Sequence, residues 1–208
     1  MEYDGNAWSS VITNTDPFWK ASSGSSSRKK KSMETNKPST PFTIRHAEPE
    51  DYEAVHKIFQ GPKAMRGTLQ LPFPRAESWR KRLAEPGDGN YFLVACAGDE
   101  VIGQIGLHTF PNRPRRRHVG QIGMAVMDDW QGKGVGSALL QAAIDLAENW
   151  LQLTRIELEV YTDNQAGVRL YEKFGFKIEG TLKQFAFRDG EFVDAYFMAR
   201  LRTPSEPV

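Results

Sequence analysis

Residues 126–140 read VMDDWQGKGVGSALL, and the order of structures in this stretch constrains the rest of the chain. Upstream, Ile122, Met124 and Val126 alternate with smaller or polar residues, which predicts a strand over Val119 to Val126. Downstream, Val135, Leu139, Ala142, Leu146 and Trp150 recur at helical spacing, with Ala138 and Ala143 beside them. That stripe predicts a long helix over Gly136 to Leu151. Between the two lies a turn holding Gly132, Gly134 and Gly136. The first amides of a helix have no internal acceptor and point outward. The helix dipole adds positive partial charge at that end. Glycines let backbone approach a ligand with no Cβ in the way. The stretch is therefore a candidate cradle for a pyrophosphate, built from backbone N–H groups.

Two familiar cradles fit poorly. A Walker A loop needs a lysine and then a hydroxyl residue directly after its last glycine, whereas Lys133 precedes Gly134 and Gly136 and no lysine precedes Ser137. A dinucleotide fingerprint matches at Gly132 and Gly134, but its third glycine position holds Ser137, and the turn lies far from the start of a βαβ unit.

Working outward, Phe42 to Arg45 reads as a strand and Glu48 to Phe59 as a helix, with Pro49 in its first turn and Gly61 and Pro62 stopping it. A loop with Leu69, Leu71, Pro72, Phe73 and Pro74 follows, and then a helix from Glu77 to Leu83. Tyr91 to Ala97 and Val101 to His108 read as strands joined by Gly98 and Asp99. After the long helix come a strand, Ile156 to Tyr161, and a helix, Gln165 to Phe174, capped by Asn164 and ended by Gly175. Asp189 and Gly190 turn a hairpin between Lys183–Phe187 and Phe192–Arg200. This order predicts an α/β fold: a mixed central sheet with helices on both faces.

Met1 to Pro41 differs in composition. Ser22 to Ser27 is rich in serine and glycine, Arg28 to Lys31 is basic, and prolines follow. Such a segment buries too little apolar surface to offset its ordering entropy, so residues 1–41 are expected to be a disordered extension. Met33 offers an alternative start. The remaining length suits one domain.

The formal net charge is +1, which gives no global field for holding nucleic acid or an anionic membrane. No apolar run approaches the ~20 residues needed to cross a bilayer. The single cysteine, Cys96, sits in an apolar run and reads as a small buried hydrophobe. One thiol makes no internal disulfide, no His/Cys/carboxylate cluster has the spacing of a metal site, and no secretory signal is visible. Together these features favour a reducing cytoplasm.

A second block, VYTDNQAGVRLYEKFGF at residues 160–176, accompanies the cradle. With Gln131, Gly134 and Gly136 after a strand, and Asn164, Ala166, Leu170, Tyr171, Gly175 and Phe176 in the second block, the chain resembles the GNAT superfamily of acyl-CoA N-acyltransferases. The resemblance covers Phe42 to about Arg202, leaving 203–208 as a tail. The Leu69–Pro74 loop, the Arg113–Val119 segment and Asp194–Met198 look like the small bacterial group that acetylates free amino acids, with likeness also to polyamine and ribosomal-protein acetyltransferases.

The resemblance implies a GNAT-like, mostly antiparallel sheet and transfer of acetyl from acetyl-CoA to a primary amine. It implies that backbone groups of Met124, Ala125 and Val126 pair with the pantetheine arm, and that amides of Gln131, Gly132, Lys133, Gly134, Val135, Gly136 and Ser137 hold the pyrophosphate. Asn164 would contact the cofactor, cap a helix, or do both. Lys133 reads as a phosphate contact or a solvated lysine. Tyr171 is the candidate proton donor to the leaving thiolate, against a reading as helix packing. The strand before the cradle lacks the glutamate many members carry there. Glu157, Glu159, His118 and a water chain remain as proton acceptors. Arg113, Arg115, Arg116 and Arg117 form a solvated loop or hold an acceptor's carboxylate. A homodimer is implied, with a small-molecule amine as partner and neither nucleic acid nor membrane. Protein N-termini or polyamines are alternative acceptors, and a non-catalytic CoA-binding module is the alternative from another class.

Overall fold

The structure, a computed structural model, describes residues 12–13 and 41–202. The expected disordered extension and the tail at 203–208 therefore lie outside the described residues, apart from Ile12, Thr13 and Pro41.

Eight strands form one sheet: β1 (Ile12–Thr13), β2 (Thr43–His46), β3 (Asn90–Ala97), β4 (Glu100–Thr109), β5 (Val119–Val126), β6 (Arg155–Tyr161), β7 (Lys177–Arg188) and β8 (Glu191–Leu201). Their order is β1-β2-β3-β4-β5-β6-β8-β7. Every neighbouring pair is antiparallel except β5 and β6. The mixed, mostly antiparallel α/β sheet expected from the sequence is the observed one. The helices are α1 (Tyr52–Gln60), α2 (Pro62–Arg66), α3 (Ala76–Ala84), α4 (Val135–Asp145) and α5 (Gln165–Lys173). Among the described residues no helix is long and apolar enough to cross a membrane.

Side chains alternate across each strand, so the sheet has two apolar faces. On one, Phe92, Val94 and Cys96 of β3 meet Val55, Ile58 and Phe59 of α1 and Trp79 and Leu83 of α3. Phe59 stacks on Trp79 with ring centroids 4.7 Å apart. On the other, Leu93, Ile105 and Leu107 meet Leu139, Leu140 and Ile144 of α4 and Val168 of α5. Each fully buried leucine there contributes about 1.5–3 kcal/mol. Cys96 is buried, as read, and burial pushes its thiol pKa up. Arg45 grips Asp51 through two bonds of 2.6 and 2.8 Å, and Asp51 also accepts from the Glu48 amide, which fixes the entry to α1. Burial alone would raise the Asp51 carboxyl, but those bonds outweigh it and hold it below its usual value.

Three boundaries differ from expectation. Gly61 and Pro62 do end α1, but Pro62 also suits a first helical turn, so the chain restarts at once as α2. The long helix is α-helical only to Asp145 and continues as a π turn over Leu146–Trp150. The hairpin strand β7 begins at Lys177, because Lys177 and Ile178 pair with Ala199 and Met198, ahead of register shifts at Ile178/Gly180 and Leu182/Ala186.

Gly103 of β4 lets the N-terminal end of α4 lie close on the sheet. A Cβ there would sit 3.0 Å from Leu139 and 3.1 Å from Val135, both fully buried. Gly103→Ala is expected to lower stability by about 1–3 kcal/mol through overpacking, read as a reduced urea midpoint with unchanged slope.

Candidate active site

The two parallel strands separate partway along. Their register runs Val119↔Arg155, Gly120↔Ile156 and Gln121↔Glu157, and stops. Each strand continues on its outer partner alone, β5 to Val126↔Gly103 and β6 to Tyr161↔Ala195. The Met127 amide donates to the Ile102 carbonyl at 2.9 Å, which sets the parity of the β4–β5 ladder. Ala125, opposite Gln104, then spends its backbone groups on β4, while those of Met124 and Val126 face the gap. The Val126 carbonyl accepts the Gln131 side-chain amide at 3.2 Å.

The cradle lies at the end of β5. Gly132 and Gly134 have φ of 74° and 90°, a region L side chains rarely adopt. A Cβ at either would meet nothing within 4 Å, so both face open space. The first helical bond of α4 is Ala138 N–H to the Gly134 carbonyl at 3.1 Å. The amides of Val135, Gly136 and Ser137 precede it and have no acceptor within the helix. Gly136 is needed for a different reason: a Cβ would press on Leu170 of α5 at 3.3 Å.

Gap and cradle border one cavity of about 650 Å³. It is lined by Met124, Ala125 and Val126 of β5, by Gln131, Gly132, Gly134, Gly136 and Ser137, and by Asn164, Leu170 and Tyr171. Ten of the twelve residues the sequence suggested thus converge. The side chains of the other two lie elsewhere. Val135 is buried in the core, and the Lys133 ammonium rests 5.0 Å from the centre of the Trp130 ring. Asn164 has both expected features, since it lines the cavity and its Oδ1 accepts the Gly167 amide of α5 at 3.0 Å.

A smaller cavity of about 190 Å³ adjoins the first and shares Gly67, Thr68, Met124, Asn164 and Tyr171 with it. Glu159, Tyr161 and Phe185 are among the other residues of its wall. Tyr171 thus stands where the two cavities meet. Its ring packs edge-on against Phe176 at 5.8 Å. Burial pushes its phenol up to about 12, so it is protonated at physiological pH.

The other candidates separate cleanly. Glu157 is buried and paired with Arg116 and Arg155, each at 2.6 Å. Among the described residues, Glu159 accepts only the Gln121 side-chain amide, at 2.9 and 3.1 Å. His118 is exposed and outside both cavities, as are Arg113, Arg115 and Arg117. Arg116 is committed to Glu157 and to the face of Phe110. Among the described residues no cluster of His, Cys, Asp or Glu could hold a metal.

Lining residues on α2 and the hairpin were not anticipated. Lys63, Arg66, Gly67 and Thr68 face the cavity, as do Asp163 and Arg188. Arg66 pairs with Asp189 at 2.5 Å, and Arg188 donates to Asp163 at 2.5 Å and to the Arg66 carbonyl at 2.9 Å. These bonds tie α2 to the β7–β8 turn across the cavity mouth. The proline just after Gly61 was the available signal that α2 resumes as helix.

Comparison with known proteins agrees with this geometry. A sequence model of the Acetyltransferase (GNAT) family matches residues 52–176. The L-amino acid N-acetyltransferase AaaT of Escherichia coli is 46% identical over 162 residues, covering 77% of this chain and 98% of that protein. An N-alpha-acetyltransferase of Saccharolobus solfataricus is 32% identical over 168 residues, with 76% and 92% covered. The crystal structure of the acetyltransferase of GNAT family from Streptococcus pneumoniae superposes with a TM-score of 0.68 at 30% identity, covering 77% of this chain and 98% of that one.

Gly134→Ala tests the cradle. An alanine forced to positive φ costs about 1–2 kcal/mol and tilts the amides beside it. If the turn relieves that strain by moving its amides, the affinity for CoA measured by calorimetry is expected to fall by about five- to thirtyfold, with the far-UV spectrum unchanged.

Proposed function

We propose that this chain, which belongs to the GNAT family of acetyltransferases and is an N-acetyltransferase using acetyl-CoA, acetylates the α-amine of a free amino acid. The observation that carries the proposal is the separation of β5 from β6, which opens two joined cavities with Tyr171 between them. The larger has a glycine cradle at one end and a free strand edge along one wall, features that suit a pyrophosphate and an amide-bearing arm. The smaller is sized for a small amine. The acceptor class is supported by the 46% identity to a protein named an L-amino acid N-acetyltransferase. A protein α-amine is the second reading, supported by 32% identity to an N-alpha-acetyltransferase.

Acetyl-CoA supplies an activated acyl group. On the proposed binding mode, Val135, Gly136 and Ser137 offer their free amides to the pyrophosphate, with Gly132 and Gly134 keeping the approach clear of side chains. Lys63 lines the same cavity and makes no ion pair among the described residues, so its ammonium is available to a phosphate. Met124 and Val126 offer backbone groups to the arm, and one of their amides polarises the thioester carbonyl. Asn164 orients the arm from the opposite side while capping α5.

Tyr171 holds the proton that the leaving thiolate needs. In water a thiol near ~8.5 would leave this transfer about 5 kcal/mol uphill from a phenol at about 12. The thiolate forms beside the same buried phenol, however, and desolvation raises its own proton affinity too, which narrows the gap.

A homodimer is part of the proposal, supported by exposed Phe187, Phe192, Leu182 and Ile178 on β7 and β8. So is a cytoplasmic location, supported by the use of acetyl-CoA and by a cysteine kept as a buried thiol.

A thiol-release assay with acetyl-CoA against free amino acids, polyamines and peptides tests the acceptor. Turnover on free amino acids above the other classes is expected, and turnover on peptides alone would favour the second reading. Tyr171→Phe is expected to lower kcat about 10²-fold while CoA binding is retained. Folding raises the Tyr171 pKa from about 10 to about 12, so the folded state holds that proton more tightly. The stabilisation is complete below pH 10 and lost as the pH rises towards 12. The variant should therefore lose less stability than wild type across that alkaline range, read by thermal melts at successive pH values.

A further inference from the structure

Resting on the acetyltransferase reading, we infer that Phe185 sets how large a side chain the acceptor can carry into the smaller cavity. A bulge in β7, pinned by Asp194, places Phe185 there.

In the sheet order β6-β8-β7, β7 lies two strands from the gap edge. Among the described residues of β7 and β8, only Phe185 lines the cavity of about 190 Å³. Regular strand geometry would not bring it there. Leu182 pairs with Ala195, and Ala195 with Tyr161, so these three side chains share one face. Ala186 pairs with Val193, two residues along β8, and so lies on that face as well. Counted from either Leu182 or Ala186, alternation would put Phe185 on the opposite face from Tyr161. Its ring nevertheless stands 6.2 Å from the Tyr161 ring, edge to face.

The register shows the cause. Between Leu182 and Ala186, three residues of β7 stand opposite Asp194 alone. The middle one, Gln184, has a φ of 51°, a region that disfavours residues with side chains. A bulge of this kind bends its strand and re-aims a side chain. Asp194 holds it with both carboxylate oxygens. One accepts the Gln184 amide at 2.9 Å, and the other accepts the Lys183 ammonium at 2.8 Å. The Lys183 bond, and after it the Gln184 bond, holds the Asp194 carboxyl below its usual pKa, so it is charged at neutral pH. The Asp194 carbonyl accepts the Thr162 amide at 3.1 Å, directly after Tyr161. One residue therefore joins the bulge to the strand that carries the cavity wall. Ala195, between Leu182 and Tyr161 in the row, adds only a methyl group, so β8 leaves room for the Phe185 ring.

Other apolar walls of the cavity also serve the fold. Ile122 and Val160 are buried in the core on the α4 side. Tyr161 donates to the Thr68 carbonyl at 3.3 Å and lies under the Arg188 guanidinium. Phe185 belongs to neither core cluster and is half-buried. A phenyl ring held outside the core by a strained backbone is better explained by the cavity it faces than by packing. Its size can change at little cost to the core, whereas the room beside a bound acceptor changes directly. In so small a cavity the ring excludes bulky groups by overlap.

The test compares wild type, Phe185→Leu, Phe185→Ala, Asp194→Ala and the Phe185→Ala/Asp194→Ala double variant. Thiol release is followed with saturating acetyl-CoA and free glycine, alanine, leucine or tryptophan. The readout is the ratio of kcat/KM for tryptophan to that for alanine, which a general loss of folded protein does not move. Phe185→Ala is expected to raise this ratio about 10- to 100-fold, and Phe185→Leu by less, with KM for acetyl-CoA unchanged in both. Asp194→Ala should raise it in the same direction by a smaller factor and add nothing in the Phe185→Ala background. A ratio unchanged or lowered in both Phe185 variants, or activity lost equally on every acceptor, overturns the size role. A wild-type ratio in Asp194→Ala, or an effect that multiplies with that of Phe185→Ala in the double variant, overturns the positioning role. If wild type itself neither binds CoA nor acetylates any amine, the underlying acetyltransferase reading fails instead.

Discussion

The active site depends on two parallel strands that begin as partners and do not remain so. β5 and β6 pair at Val119 to Gln121, and then each is held only from its outer side. Strand twist carries neighbours apart wherever no hydrogen bonds oppose it. Unpaired backbone groups inside a fold are costly unless water or a ligand satisfies them. The gap is therefore open to solvent, and a ligand bearing its own amides can complete the interrupted sheet. Tyr171 belongs to the core on the α4–α5 side yet reaches the cavity that holds Glu159, a residue on the opposite side of β6 from Leu158 and Val160. The separation of the strands lets these two groups share one small volume.

The cradle depends on the gap as well. α4 must begin where β5 ends, and it must lie close enough to the sheet for its first amides to face the same opening. Gly103 provides that approach from β4, and Gly136 provides it against α5. Gly132 and Gly134 have another role, since their positive φ values turn the chain and leave the approach bare. One short segment thus uses glycine both for close packing and for turning. Asp128 links this turn to α2 by accepting the Lys63 amide at 3.0 Å.

Much of the architecture was legible because it is local. Period-two and period-3.6 patterns give the strands and helices, Asp189–Gly190 gives the hairpin, and the cradle motif gives the start of α4. Where chain breakers also suit a helix start, the reading was less secure: Gly61 caps the end of α1 and Pro62, the next residue, starts α2. The set of cavity residues near α2 was not legible, because Arg66, Thr68 and Arg188 meet through contacts more than ninety residues apart in sequence, as in Tyr161 to Thr68 and Arg188 to Arg66. The sequence also left Glu157 and Glu159 equivalent, since both alternate onto one strand face. Only the register against β5, and the loop carrying Arg116, distinguishes them.

That distinction follows from the distribution of cations. Arg155 pairs with Glu157 and Glu179, Arg116 reaches Glu157, and Arg188 and Arg66 serve Asp163 and Asp189 at the cavity mouth. Each of those carboxylates has a guanidinium. Glu159 has a neutral amide instead, which can orient a carboxylate without cancelling its charge. An arginine in place of Gln121 would neutralise that carboxylate. A hydrophobe there would leave the carboxylate unheld. A glutamine avoids both outcomes, since it holds the carboxylate and leaves its charge intact.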